Sequence, residues 1–159
     1  MKLVLALVDF SEVTSNLVTL AGNVARGMNS KLVLVHVAMP DADFVDGKVR
    51  DNVSRDALAG DLRQRHRKLE ILELELRKLG VDATGLMVRS TSSRGNPVNK
   101  IVDEVDRLGP DMVIMGTHGH GRLYEMLVGS VTNAVVRKVR RPVLVVPSPM
   151  SGGSKPAGI

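Results

Sequence analysis

The residues best equipped for chemistry form one stretch, Gly116-Thr117-His118-Gly119-His120-Gly121-Arg122-Leu123-Tyr124-Glu125-Met126-Leu127-Val128-Gly129-Ser130. The apolar run Met112 to Met115 leads into it, and a helical pattern carrying Val131, Ala134, Val135 and Val139 leaves it. The order predicts a strand, a glycine-punctuated loop and a helix opened by Gly129 and Ser130. Such a loop suits phosphate. Glycines allow close backbone approach and φ > 0, so that successive N–H groups can face one anion. The first N–H groups of the helix lack intrahelical acceptors and carry the positive end of its dipole. Ser130 is placed to cap the helix or to offer its hydroxyl to phosphate.

Two common phosphate motifs fail. Gly116 and Gly121 have the P-loop spacing, but Arg122 and Leu123 stand where Lys and Ser or Thr are required. Gly119-His120-Gly121 would need a third glycine where Tyr124 stands to make a dinucleotide fingerprint. What remains is Gly116, Gly119 and the pair Gly129-Ser130. No third ligand accompanies His118 and His120, so no metal site is assigned to them. Ser11 and Ser130 have no His/Asp arrangement, so no catalytic residue is assigned.

Around this stretch the chain of 159 residues reads as one domain, residues 1–149, with a Gly/Ser/Pro-rich tail at 150–159. Its longest apolar runs are of strand length, which predicts no membrane span. Met1-Lys2 leads straight into a β-like run, which predicts no secretory leader. Zero cysteines exclude disulfides and fit a cytoplasmic protein. The net charge of +5 invites a nucleic-acid reading. But Arg63, Arg65, Arg67 and Lys68 read as a solvated helix face, and Arg137, Lys138, Arg140 and Arg141 as the cationic end of the last helix. An aromatic content of 2% leaves no stacking platform, so no nucleic-acid partner is expected.

Leu3–Val8, Leu32–Val37, Val81–Val88, Met112–Met115 and Val143–Val146 read as strands. Continuous apolarity predicts burial on both faces; the third run is more mixed, which suits an edge. Ser11 is a candidate N-cap for a helix marked by Val13, Leu17, Leu20, Ala21, Val24 and Met28 and ending near Gly27. Pro40 to about Ser54 reads as loop. A long helix from about Ser54 to Leu79 has Leu58, Leu62, Leu69, Leu72, Leu76 and Leu79 on its buried side. Arg89 to Arg94 reads as loop, then Asn96 and Pro97 open a helix that Gly109-Pro110 ends. His36, at a strand end, reads as satisfied or exposed. Strict alternation of strand and helix argues an open α/β parallel sheet with helices on both faces. Ligands bind such sheets beyond the carboxyl ends of the strands, where the winding reverses. Asp9 and Gly116 both fall at such ends.

The glycine spacing resembles the nucleotide-binding motif of the ATP-binding branch of the universal stress protein family, matching at Gly116, Gly119, Gly129 and Ser130. The resemblance runs from about Met1 to Pro147. It includes Leu7-Val8-Asp9-Phe10-Ser11, His36-Val37, Gly95-Asn96-Pro97 and Arg141 to Pro147. It implies the strand order 3-2-1-4-5 of the adenine-nucleotide alpha-hydrolase-like folds. It also implies that ATP, AMP, ADP or cyclic AMP binds, with Mg²⁺ held mostly by phosphates and water. Asp9 would accept from the ribose or adenine, and Val37 and Met115 would lie at the base. Gly116, Gly119, Gly121, Gly129, Ser130, Val131 and Thr132 would surround the phosphates; by its charge Arg122 is a candidate to approach them, the alternative being that it points to solvent. Arg94 is a further candidate for ligand contact.

The function so implied is a stress-response or signalling module whose nucleotide occupancy modulates a protein partner. The alternative is a slow Mg²⁺-dependent ATPase or nucleotidyl hydrolase. Asp9-Phe10-Ser11-Glu12 lacks the Ser-Gly-Gly loop of the ATP pyrophosphatases, so binding is better supported than turnover. An apolar terminal strand, Val143–Val146, at an open edge predicts an isologous homodimer.

Overall fold

The computed structural model describes residues 1–38, 51–89, 96–117 and 129–147, with 51–58 described by backbone alone. Its elements are β1 (Leu3–Leu7), α1 (Thr14–Gly27), β2 (Lys31–Ala38), α2 (Asp51–Lys78), β3 (Ala83–Arg89), α3 (Pro97–Leu108), β4 (Met112–Gly116), α4 (Ser130–Lys138) and β5 (Val143–Val146). All strands pair in parallel in the order β3-β2-β1-β4-β5. The winding reverses between β1 and β4, where Val4 pairs with Met112 and Ala6 with Ile114.

Each strand feeds two cores because successive side chains point to opposite faces. Val4, Ala6 and Val8 pack on one face with Leu17 and Ala21 of α1 and Leu69 and Leu76 of α2. Leu5 packs on the other with Ile101 and Val105 of α3 and Val135 of α4. Both faces are covered, which is why β1 and β2 are apolar at nearly every position. Each fully buried Leu or Val contributes roughly 1.5–3 kcal/mol over its exposed state. At Gly85 a Cβ would come within 2.8 Å of Leu69 Cγ, so the absence of a side chain there lets α2 lie directly on β3. The same Gly85 donates its N–H to Glu73 Oε2 at 2.7 Å.

Local signals account for most element ends. Asn96 Oδ1 accepts from Val98 N at 2.9 Å, Pro97 follows, and Gly109 closes α3 in the left-handed region at φ 58°. Asp111 accepts from Lys2 N at 2.6 Å and Leu3 N at 3.0 Å, fixing the start of β1 beside the start of β4.

Four expectations are corrected. Ser11 does not cap α1, which has Val13 at its N-cap position and no side-chain cap; the N–H and hydroxyl of Ser11 both go to Asp9 instead. The second helix begins at Asp51, inside the segment read as loop. Leu79 is 66% exposed, because α2 ends at Lys78 and the chain turns away through Gly80 at φ 79°. Arg89 ends β3, paired with Ala38, and is not in a loop.

Candidate functional site

The carboxyl ends of β1 and β4 lie side by side at the reversal, and each is fixed by a polar cluster. At β1, Asp9 Oδ1 accepts from Ser11 N at 3.0 Å, Ser11 Oγ at 2.6 Å and Thr14 Oγ1 at 3.3 Å. The carboxylate thereby closes the turn that starts α1. Between them, Phe10 adopts φ 60°, an uncommon conformation for a bulky residue. Its ring packs against His36, centroids 4.5 Å apart, and Lys68 Nζ lies 5.7 Å from the ring centre. His36 is buried and points its Nδ1 at the Val8 carbonyl, 2.8 Å away, which requires the Nδ1–H form of the ring. Its Nε2 is buried with no hydrogen-bond partner among the described residues. The expectation that His36 is satisfied or exposed is therefore corrected: it is buried and half satisfied. Burial holds its pKa below the ordinary value, against the upward pull of the Val8 carbonyl; Arg65 lowers it further, and Asp9 and Asp61 raise it.

At β4 the two ends of the glycine loop are clamped together. Thr117 N donates to Val146 O at 2.9 Å, extending the ladder one step past the strand. Gly129 N donates to Thr117 O at 2.7 Å. Thr132 is buried, and its hydroxyl donates to Gly116 O at 2.8 Å, with Thr117 O 3.4 Å away. So the first turn of α4 is pinned to the end of β4 at two points. Asn133 N bonds Gly129 O, which leaves the N–H groups of Ser130, Val131 and Thr132 without intrahelical acceptors. No acidic residue stands in that first turn to occupy them. A pinned helix end of this kind can hold an anion.

The structure therefore brings Asp9, Gly116, Gly129, Ser130, Val131 and Thr132 to one end of the sheet. Met115 is buried and Val37 is partly buried, both on the α3/α4 face near the ends of β4 and β2. Two details change the residue roles. Gly129 is the N-cap at φ −54°, so glycine is not needed there for left-handed backbone, and Ser130 is the first helical residue and not the cap. The Thr132 hydroxyl is a positioning group, leaving its N–H as the part able to face a ligand. Gly119, Gly121, Arg122, His118, His120 and Arg94 lie outside the described residues. The sequence reading missed Thr14 as a support of Asp9 and Thr117 as the clamp of the loop. The Thr117 clamp has no local pattern, since it depends on contacts with Val146 and Gly129, whereas Asp9 and Thr14 lie five residues apart within one turn. Among the described residues no group of three or more His, Asp or Glu could hold a metal ion, and no helix is long and apolar enough to cross a membrane.

A strand-order reversal flanked by an acid-closed turn and a pinned helix N-terminus defines a doubly wound α/β fold with its crevice at the ends of β1 and β4. The sequence family follows directly: the universal stress protein family model matches residues 1–147, and the chain belongs to that family. The universal stress protein MJ0577 of Methanocaldococcus jannaschii is 39% identical over 79 residues, a match spanning 50% of this chain and 46% of that protein. The solved MJ0577 structure superposes with a TM-score of 0.76 at 28% identity, covering 94% of this chain and 98% of that one. A universal stress protein solved in complex with cAMP has a TM-score of 0.66 at 21% identity, covering 93% and 98%. One from Archaeoglobus fulgidus in complex with dAMP has a TM-score of 0.63 at 20% identity, covering 91% and 96%.

Proposed function

We propose that this chain is an adenine-nucleotide-binding stress-response module, with ATP as its ligand and residues 1–149 as the binding unit. The observation that carries the reading is the first turn of α4, whose open N–H groups are pinned beside the end of β4 by Thr132 and Thr117. Phosphates would lie against Ser130, Val131 and Thr132, where the backbone donates and the helix dipole favours negative charge. Gly116 and Gly129 would let the chain approach them without a side chain between. The base would lie near Val37 and Met115 on the α3/α4 face. Asp9 would accept from the ribose through carboxylate capacity beyond its own turn, since an ionised carboxylate has about four acceptor positions. Gly119, Gly121 and Arg122 complete the phosphate side in this reading, and Mg²⁺ would be held by phosphates and water.

The cAMP and dAMP complexes of related proteins agree with an adenine nucleotide of this general size. Occupancy would regulate a protein partner only if the two conformations it selects bind nucleotide unequally. Calorimetric titration with ATP, ADP, AMP and cAMP tests the reading. Saturable binding of ATP with one site per chain is expected, and absence of binding by all four at millimolar concentration overturns it.

A homodimer through β5 belongs to the same proposal. Val113 N bonds Pro142 O and Thr117 N bonds Val146 O, so alternate residues of β5 turn their backbone groups toward β4. Val143 and Val145 are then the ones whose N–H and C=O face away from β4, along the open edge. An antiparallel copy of β5 would satisfy them on a two-fold axis.

A further inference from the structure

We propose that this protein has a second ligand site, a cleft between α2 and the edge strand β3 that takes a phosphomonoester with an apolar body. The cleft has a volume of about 340 Å³ and is lined by Leu62, Arg63, His66, Arg67, Glu70, Met87 and Arg89. That volume is at the lower end of small-molecule sites, which run to roughly 300–1,000 Å³.

Charge and periodicity make the site. Arg63 and Arg67 stand one turn apart on the same stripe of α2 as His66 and Glu70. Met87 and Arg89 are two apart on β3, so they share the face that α2 covers. Two other arginines of α2 are committed: Arg65 pairs with Asp61 at 2.7 Å and Arg77 with Glu73 at 3.0 Å. The carboxylate in the cleft, Glu70, is 3.2 Å from His66 Nε2. Arg63, Arg67 and Arg89 have no carboxylate partner among the described residues. All three are exposed, so their heads are free to turn toward an anion held in the concavity. Their planar forks suit the oxygens of a phosphate dianion, with bonds that charge strengthens. The floor beneath them is apolar. Leu62 and Met87 would cover the body of the ligand, and Met87 already packs on the α1/α2 core.

The site is separate from the crevice at β1 and β4. Met87 belongs to the α1/α2 face and Val37 to the α3/α4 face, so the sheet lies between the cleft and the proposed base position. β3 is also two strands removed from β1.

The test is a titration of phenyl phosphate into the isotope-labelled full chain, observed by NMR at the backbone amide, arginine Nε–H and methionine methyl signals. Expected are saturable shifts at Arg63, Arg67, Arg89 and Met87, and affinity roughly tenfold weaker for inorganic phosphate, which has no apolar body. The double variant Arg67→Gln/Arg89→Gln changes exposed side chains and should fold normally. It should lose the shifts at Arg63 and Met87, the cleft signals it retains, while keeping the wild-type spectrum elsewhere. Because the signals localise the ligand, the outcome does not depend on nucleotide binding at the other site. Shifts confined to Ser130, Val131 and Thr132, equal affinity in wild type and double variant, or no shifts at millimolar phenyl phosphate would each overturn the site. Displacement of phenyl phosphate by an equimolar hexaglutamate peptide would overturn the small-molecule assignment in favour of an acidic peptide.

Discussion

Replacing Thr132 by Val removes one hydroxyl from the joint between β4 and α4 and nearly nothing else. The two side chains have similar volume, are both β-branched and have similar helix propensity. Thr132 is 3% exposed, so water cannot freely take over the role of its hydroxyl. The bond to Gly116 O at 2.8 Å is a full hydrogen bond; the 3.4 Å approach to Thr117 O adds little. Loss of that donor costs about 1–2 kcal/mol, the bond itself plus part of the desolvation of a carbonyl left without it. In a chain of this size that is a fall in Tm of about 2–4 °C per kcal/mol. ATP affinity should fall as well, by up to about tenfold, because the N–H row of α4 is no longer held against β4. Urea unfolding and calorimetry on the same samples measure the two effects. Thr132→Ser keeps the donor and should recover most of both. A Val variant with wild-type stability and affinity, or a Ser variant as impaired as Val, would refute the positioning role.

Three further outcomes follow from the same geometry. His36 has a folded pKa below its ordinary value of 6.5 because it is buried, so the folded protein binds fewer protons than the unfolded chain as pH falls below that value. Its contribution is fully present above pH 6.5 and is lost as pH falls toward the folded pKa; His36→Gln should flatten urea-derived stability between pH 7.5 and 5, and an unchanged slope would contradict this. Asp111, held below the usual carboxylate range by its bonds to Leu3 and Lys2, acts in the same direction but at lower pH, which separates the two. Gly85→Ala places a Cβ 2.8 Å from Leu69 Cγ, and Leu69 is 1% exposed with nowhere to move, so a loss of about 1–3 kcal/mol is expected in urea unfolding, where an unshifted midpoint would count against the close approach. Val145→Pro removes an N–H that faces the open edge, so light scattering should show a dimeric wild type and a monomeric variant; a dimer in both would place the interface elsewhere.

The sheet was legible because its strands are short apolar runs separated by helical patterns. Asn96-Pro97 and Gly109 set the ends of α3 by local chemistry, and the mixed polarity of Ala83–Arg89 marked an edge strand. The strand order itself came from family resemblance, since periodicity carries no information on which strands are neighbours. Local rules failed where a second local signal competes with the first. Ser11 has the side chain of an N-cap but is drawn to Asp9, so α1 starts at Thr14. Leu79 continues the leucine stripe of α2, yet the helix has ended before it and the side chain faces solvent. At the site, glycine spacing and the helix after it were readable. The clamp Gly129–Thr117, the Thr132 bond to Gly116 and the His36 support beneath Phe10 were not, because each joins residues that only the fold brings together.

The central claim is that the first turn of α4 receives the phosphates of an adenine nucleotide. The most direct measurement is the change in backbone amide shifts when ATP is added to the ¹⁵N-labelled protein. The account predicts saturable shifts at Ser130, Val131 and Thr132, with the largest changes at these N–H groups and at Gly129. Saturable binding that leaves these four amides unmoved, or no binding at millimolar ATP, would contradict it.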